Sequence, residues 1–429
     1  MKTHALRLYG KNDLRLEAFE LPPISEDEIL ATVVSDSICM STYKAAIQGA
    51  DHKRVPKDVA EHPTMVGHEF CGCILQAGEK YRDRFPAGSK YSIQPALSYP
   101  GRELEAPGYS FQYIGGDATK IIIPREVLEM DCLLRYDGDG FFKASLSEPV
   151  SCIIGAFNTS YHFRQGEYVH KMGIAEHGTM AVLAGAGPMG LGAIDYAIHG
   201  PRRPGLLIIT DIDQVRLDRA AAIFPPEEAE RCGVDLRYVN TCARARLPRA
   251  CSGNPVADLM ALSGGKGFED VFIFAPVAPL VEQASRLLGF NGCLNFFAGP
   301  SKADFMAPVN FYDVHYSGHH VVGSSGGNTD DMREALDLMA RDVINPAVMI
   351  THIGGLDCAA DTIMNLPKLP GAKKLIYTNI SLPLTALDDF DTLGKQDPLY
   401  RDLAAITARH NGLWSVEAEE YLLARAKPI

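Results

Sequence analysis

Met180-Ala-Val-Leu-Ala-Gly-Ala-Gly-Pro-Met-Gly190 runs from an apolar strand into a G-x-G-x-x-G turn, and the Ala- and Ile-rich helix Pro188–His199 leads out of it. In that context each glycine has its own reason. Gly185 allows the tight turn, Gly187 lets the backbone approach a pyrophosphate, and Gly190 lets the helix pack closely on its strand. The helix opening at Pro188 and Met189 then aims backbone N–H groups at an anion. A second strand, Leu206–Thr210, ends at Asp211, 21 residues after Gly190. That is close to the spacing of about 20 expected for an acid that accepts from an adenosine ribose. Strand, glycines, helix, strand and acid in this order predict a dinucleotide site. A glycine run alone would be no more than a turn in a βαβ unit.

Working outward, β-type runs recur at Leu206–Thr210, Leu236–Asn240, Asp270–Ala275, Cys293–Ala298 and His320–Gly323, with helical patterns such as Gln214–Phe224 and Leu280–Leu288 between several of them. Such alternation predicts a doubly wound parallel sheet, an α/β fold. The texture before it differs. Short runs at Leu6–Leu8, Ile29–Val34, Gly72–Ala77, Ser89–Ile93 and Thr119–Ile123, broken by Pro and Gly, predict an antiparallel, partly barrel-shaped β domain. After the last sheet strand, Asp331–Val343 reads as a helix and Lys374–Thr378 as one more strand, a stretch expected to return to the first domain. The expected division is 1–155 with 324–380 as the catalytic domain, 156–323 as the inserted nucleotide domain, and 381–429 as a helical extension. In that extension Leu399–Arg409 and Val416–Arg425 are amphipathic, the latter with Ser415 as N-cap.

Length and charge limit the function. A chain of 429 residues exceeds the usual single-domain ceiling of about 250 to 300, and its 46% apolar content can fill two cores. A formal charge of −12 argues against a nucleic-acid or anionic-membrane surface and favours small metabolites as partners. No apolar run approaches the roughly 18 residues of a membrane span, and Met1-Lys-Thr-His-Ala-Leu-Arg-Leu reads as a strand rather than a signal peptide, so a cytoplasmic location is expected. The ten cysteines, Cys39, Cys71, Cys73, Cys132, Cys152, Cys232, Cys242, Cys251, Cys293 and Cys358, lack disulfide or C-x-x-C spacing. They are expected to be mostly buried and reduced.

A dinucleotide site supplies a hydride carrier, so the first domain must supply whatever activates the substrate. Three places stand out there: Cys39 in Ser37-Ile-Cys-Met-Ser41, Gly67-His68-Glu69, and Ser147-Glu148-Pro149. Thiolate, imidazole and carboxylate form a ligand set for tetrahedral zinc with one open position. Their spacing proves nothing by itself, and a buried thiol, a core histidine and a surface acid remain equally good readings of the residues alone.

Gly67-His68-Glu69 after Pro63, Glu148-Pro149, the glycine fingerprint and Asp211, in that order, resemble the zinc-dependent medium-chain dehydrogenase/reductase family, with the polyol (sorbitol) dehydrogenase branch most similar. Tyr113-Ile-Gly-Gly-Asp-Ala118, Tyr136-Asp-Gly-Asp-Gly140 and a tail past residue 380 resemble its bacterial sorbose-phosphate reductases. The resemblance implies a GroES-like catalytic domain beside a Rossmann domain, a homodimer or homotetramer, and interconversion of a ketone and a secondary alcohol of a sugar or polyol, here a sugar phosphate. Position by position it implies Cys39, His68 and Glu148 as zinc ligands and Glu69 as a fourth ligand or close neighbour. Asp211 becomes the ribose acid, favouring NAD(H) over NADP(H), a preference Arg216 and Arg219 would soften. Ala298 and Gly299 fall where the backbone meets nicotinamide, and Lys374 where a base reaches the pyrophosphate.

There are departures. Ser41 keeps the hydroxyl that passes the substrate proton, but Lys44 replaces the histidine often found five residues after the cysteine. Tyr91 to Gly116 contains no cysteine, so the family's structural zinc lobe is missing and one zinc per chain is expected. Lys44 with His52-Lys53-Arg54 and Lys57 is a basic cluster in an acidic chain. It is either a holder for a sugar phosphate or a solvated loop. Three alternatives stand beside a sugar-phosphate oxidoreductase: a sorbitol dehydrogenase-like enzyme on free polyols, a metal-free reductase of the same fold, and a non-catalytic dinucleotide sensor.

Overall fold

The computed structural model describes residues 1–164, 166–242 and 254–429. Cys251 lies outside them. The chain divides into two compact units, Met1–Pro149 with Asn328–Ile429, and Val150–Gly327.

The second unit carries six parallel strands in the order Asp235–Asn240, Leu206–Asp211, Thr179–Leu183, Phe268–Ile273, Leu288–Phe296, His320–Val322. This is the doubly wound order in which the chain reverses direction across the sheet beside the first strand, leaving a crevice at the strands' carboxyl ends. Burial explains the continuous apolar runs that made these strands legible. Ala181, Leu183, Ile208, Val271, Ile273 and Leu294 lie in one core cluster with helix residues Val281, Ala284 and Leu287. The helix Pro188–His199 has the boundaries expected from the sequence and is buried from Gly190 to Ile198. Asp213 caps the helix Gln214–Ile223 by accepting from the Val215 and Arg216 N–H groups, the local bond that makes aspartate favourable there.

The first unit holds a nine-stranded sheet and a three-stranded one, the latter made of Asp13–Glu20, Lys2–Gly10 and Thr64–Met65. The expectation of an antiparallel domain needs one correction. Ile350–Gly355 and Lys373–Tyr377 pair in parallel, with the helix Ala359–Asn365 crossing between them, and Lys373–Tyr377 then pairs antiparallel with Ser35–Ile38. Ile350–Gly355 escaped the sequence reading because Ile350-Thr-His-Ile-Gly-Gly355 is short, and its glycines weaken the strand pattern.

The tail set apart as 381–429 is not a separate extension. It clusters with the first unit, where Trp414, Leu403 and Leu422 are buried. Ile380–Ser381 pairs with Lys427–Pro428. The Ser415 cap on Val416–Arg425 is present, its hydroxyl accepting from the Ala418 N–H at 3.2 Å. No disulfide joins the described cysteines. Of these only Cys71, Cys132 and Cys293 are buried, so most are half-buried rather than core as expected. Among the described residues no helix is long and apolar enough to cross a membrane.

Candidate active site

The nucleotide determinants gather in the second unit. The Gly185 N–H donates to the Thr210 carbonyl at 2.7 Å, tying the glycine turn to the neighbouring strand. A Cβ at Gly190 would sit 1.9 Å from the Gly185 carbonyl oxygen. Backbone meets backbone there, so no rotamer relieves the clash. Gly187 is the N-cap of the helix and a Cβ there would meet nothing, leaving the approach to the helix N-terminus open. Gly190→Ala is therefore expected to displace the turn and weaken NADH binding at least about tenfold. Equilibrium titration of NADH fluorescence checks this, and wild-type affinity would remove the glycine turn from the site.

Asp211 ends its strand with one carboxylate oxygen accepting from the Ala186 N–H at 3.3 Å and the other from Ile212 and Asp213. The acid thus faces the glycine turn. Arg216 pairs with Asp213 at 3.6 Å. Ala298 is held beyond the strand Leu288–Phe296 by its N–H on the Ile273 carbonyl, and Gly299 follows it.

In the first unit, Cys39 follows the strand Ser35–Ile38 and is the N-cap residue of the helix Met40–Gln48. His68 and Glu69 enter from Gly67, whose φ of 91° is open to glycine, just before the strand Phe70–Ala77. One ligand atom from each of Cys39, His68 and Glu69 lies within 4.8 Å of the others. Glu148 stands in the first turn of the helix Ser147–Thr159. Burial pushes its carboxyl up to about 7, His68 pulls it down, and Glu69 and Cys39 push it further up, so it shares their electrostatic environment. Burial also raises the Cys39 thiol and lowers the His68 imidazole, against the upward pull of Glu148 and Glu69. The Ser41 hydroxyl donates to Cys39 Sγ at 3.0 Å and lies 3.2 Å from His68 Nε2.

The donor set fits a divalent cation. Sulfur, nitrogen and carboxylate oxygens converge in the interior, and one ammonium, Lys373, is close enough to influence all of them. A buried excess of acidic groups calls for a proton or a metal, and soft sulfur with imidazole favours zinc.

No family model matches the chain. It is 51% identical over 427 residues to an L-sorbose 1-phosphate reductase of Klebsiella pneumoniae, covering 100% of this chain and 98% of that one. It is 49% identical over 422 residues to a mannitol-1-phosphate 5-dehydrogenase of Aliivibrio fischeri, covering 98% and 97%. The chain belongs to the zinc-dependent medium-chain dehydrogenase/reductase family. It is an oxidoreductase of the alcohol and polyol dehydrogenase type. The crystal structure of 2R,3R-butanediol dehydrogenase from Bacillus subtilis shares the fold, with TM-score 0.68, 19% identity, and 88% of this chain and 100% of that one covered.

Three features of this dehydrogenase were not read from its sequence. The first is Lys373. Its ammonium lies 2.6 Å from both Glu69 oxygens, deep in the interior, so Glu69 has a cationic partner at the metal-capable cluster. Burial opposes the ammonium's charge, but Glu69 and Cys39 outweigh it and hold the lysine above its ordinary range. The sequence reading took Lys374, one residue on. On a strand the two side chains point to opposite faces. Lys374 is buried and its ammonium donates to the Pro370 and Ala372 carbonyls, so it is not available to a pyrophosphate.

The second is Tyr109, whose hydroxyl lies 3.1 Å from His68 Nδ1 and whose ring has the Arg54 guanidinium 5.6 Å from its centroid. His52 stacks on the same ring at 5.8 Å. Burial, then Arg54, Lys53 and Lys44 in turn, drive the His52 pKa down to about 4. Of these cations Arg54 is the one seen against the Tyr109 ring, while Lys53 is exposed and the Lys57 ammonium bonds the Ala50 carbonyl.

The third is the acid pair Asp36 and Asp117. Asp36 accepts the Glu69 N–H at 3.1 Å. Its other oxygen and both Asp117 oxygens have no hydrogen-bond partner among the described residues. Burial pushes both acids up, Asp117 to about 7.

Proposed function

We propose that this chain is a zinc- and NAD(H)-dependent oxidoreductase that interconverts a phosphorylated ketose and its hexitol phosphate. The observation that carries the reading is Tyr109, which touches His68 with its hydroxyl and carries Arg54 over its ring. That arrangement offers an anion site beside the place where a carbonyl would react, as a ketose phosphorylated on the adjacent carbon requires. Both relatives are named for a six-carbon sugar or polyol phosphate; sorbose 1-phosphate has its carbonyl next to the phosphorylated carbon, whereas the mannitol 1-phosphate enzyme is named for reaction at carbon 5.

Zinc held by Cys39, His68 and Glu148, with Glu69 alongside, would supply Lewis-acid polarisation of the substrate's C–O bond. The chain's own residues do the rest. Ser41, poised between Cys39 and His68, relays the hydroxyl proton in oxidation, accepting it as it gives its own proton to water, and runs the same relay backwards in reduction. Arg54, with Lys44 and Lys53 around His52, holds the phosphate and fixes which carbon is presented. Lys373 neutralises Glu69. Asp211 favours a free ribose hydroxyl over a 2′-phosphate, which would meet its carboxylate.

The test is NADH oxidation by the zinc-loaded protein with L-sorbose 1-phosphate, set against unphosphorylated sorbose and fructose. Turnover with the phosphorylated sugar alone supports the reading, and preference for the free ketoses makes the enzyme sorbitol dehydrogenase-like. In the same assay Arg54→Ala should raise KM for the sugar phosphate about tenfold or more with little change in kcat, because it removes a charge-assisted contact worth about 1.5–3 kcal/mol. An unchanged KM would move the phosphate away from Arg54.

A further inference from the structure

The C-terminal segment places a carboxylate in the interior of the first unit. The helix Val416–Arg425 turns Glu419 inward, where it is 1% exposed. One of its oxygens accepts from the Phe141 N–H at 2.5 Å. The other accepts from the Phe142 N–H and from the Tyr377 hydroxyl, each at 2.8 Å. The Trp414 indole N–H donates to that same hydroxyl at 2.7 Å. The partners lie on two different elements. Phe141 and Phe142 open the helix Phe141–Ser145, from which the chain passes through Leu146 into Ser147 and Glu148. Tyr377 ends the strand that Lys373 begins.

We propose that Glu419 is a positioning residue of the active site, a clamp from the tail that fixes the segment leading to Glu148 against the strand that carries Lys373. The proposal rests on the metal reading given above. Its physical basis is the cost of the arrangement. A buried carboxyl with no lysine or arginine bonded to it among the described residues is an expensive fastener where an apolar side chain would serve for packing. Burial pushes this one up to about 7, against the pull of the Phe141 N–H and the Tyr377 hydroxyl. What the carboxylate offers and an apolar group lacks is direction. Two adjacent N–H groups and one O–H converge on it, so the helix start and the strand end have one permitted relative placement. The helix Phe141–Ser145 is anchored beyond Glu419 as well, since Ser145 bonds the Ser35 carbonyl at 3.0 Å, next to the strand that leads to Cys39. Groups that hydrogen-bond metal ligands commonly change metal affinity by about 10- to 100-fold when removed, and Glu419, which acts through the segments carrying Glu148 and Lys373 without bonding either, belongs at the lower end of that range.

The experiment compares wild type, Glu419→Gln and Tyr377→Phe for zinc affinity by chelator competition, with kcat, KM and NADH affinity measured separately. Glutamine keeps the shape but puts an NH2 group against N–H donors. Glu419→Gln is expected to weaken zinc about tenfold or more and lower kcat, with NADH affinity unchanged. Tyr377→Phe deletes only the hydroxyl, so it provides the reading if Glu419→Gln does not fold, with a shift of about threefold to tenfold expected. Wild-type zinc affinity and kcat in both variants, with only a lower melting temperature, would make Glu419 a packing residue and overturn the proposal alone. Failure of the wild type to bind zinc would overturn the metal reading, and this proposal with it.

Discussion

Cys39→Ala and His68→Ala are each expected to lower kcat/KM by about a thousandfold or more while leaving NADH affinity within about twofold. The size follows from the chemistry: Lewis-acid stabilisation of developing negative charge on oxygen amounts to several kcal/mol, and each 1.36 kcal/mol is a factor of ten. The selectivity follows from the fold. Cys39 and His68 belong to the unit Met1–Pro149 with Asn328–Ile429, whereas Gly185, Gly187, Gly190 and Asp211 belong to Val150–Gly327. His68 should be the more costly loss. Besides its place at the cluster it accepts or donates bonds with Ser41, Thr42 and Tyr109, so its removal also leaves three hydroxyls without that partner. Zinc content by elemental analysis, turnover and NADH titration on the same samples make the check. Substantial turnover with full zinc content in either variant would place the metal elsewhere.

The contrast between those two units also explains what could be read from the chain. The glycine turn was legible because its constraint is local: five residues set the distance between Gly185 and Gly190, and only glycine survives at 1.9 Å from a carbonyl. Continuous apolar runs made the central parallel strands legible because both of their faces are buried. The metal-capable cluster is different in kind. Cys39, His68 and Glu69 meet only through the packing of a strand end and the loop after Gly67, with Glu148 on a helix turn acting on them electrostatically, and no spacing rule predicts that meeting. It was read through family resemblance. Lys373 shows the limit of such a reading. Resemblance pointed to Lys374; strand alternation puts the two lysines on opposite faces, but both are buried, and only the packing shows that Lys373 is the one that meets Glu69. Glu419 was hidden for a related reason. It sits among Glu417 and Glu420 on a helix read from the sequence only as amphipathic, and it alone of the three is buried. Arg54 was legible as charge, but its selection over Lys53 depends on Tyr109, more than fifty residues away in sequence.

Lys373→Met is expected to be the most destabilising single substitution at the site, by about 3–5 kcal/mol in zinc-free protein. The pair it breaks is almost fully buried, with side-chain exposures of 7% for Lys373 and 1% for Glu69 and N–O distances of 2.6 Å. Removing one member of such a pair leaves the other as an uncompensated charge in the interior, the origin of that cost. Exposed pairs in the same protein, such as Arg15 with Asp13, should cost far less when broken, because solvent screens them. The local charge sharpens the difference. Asp36 bonds the Glu69 N–H, and Cys39 and Glu148 stand nearby, so no other ammonium takes over from Lys373 among the groups that act on this cluster. Glu69→Gln combined with Lys373→Met should recover much of the loss, because the double variant buries no charge at that place. Urea midpoints with chelator present measure both. A loss below about 1 kcal/mol for Lys373→Met would mean that water reaches Glu69 and that the pair behaves as a surface one. Adding zinc to Lys373→Met should restore stability by an amount that grows with the logarithm of free zinc over its Kd, since a ligand that binds only the folded state stabilises it and a cation beside the Glu69 carboxylate would offset its charge.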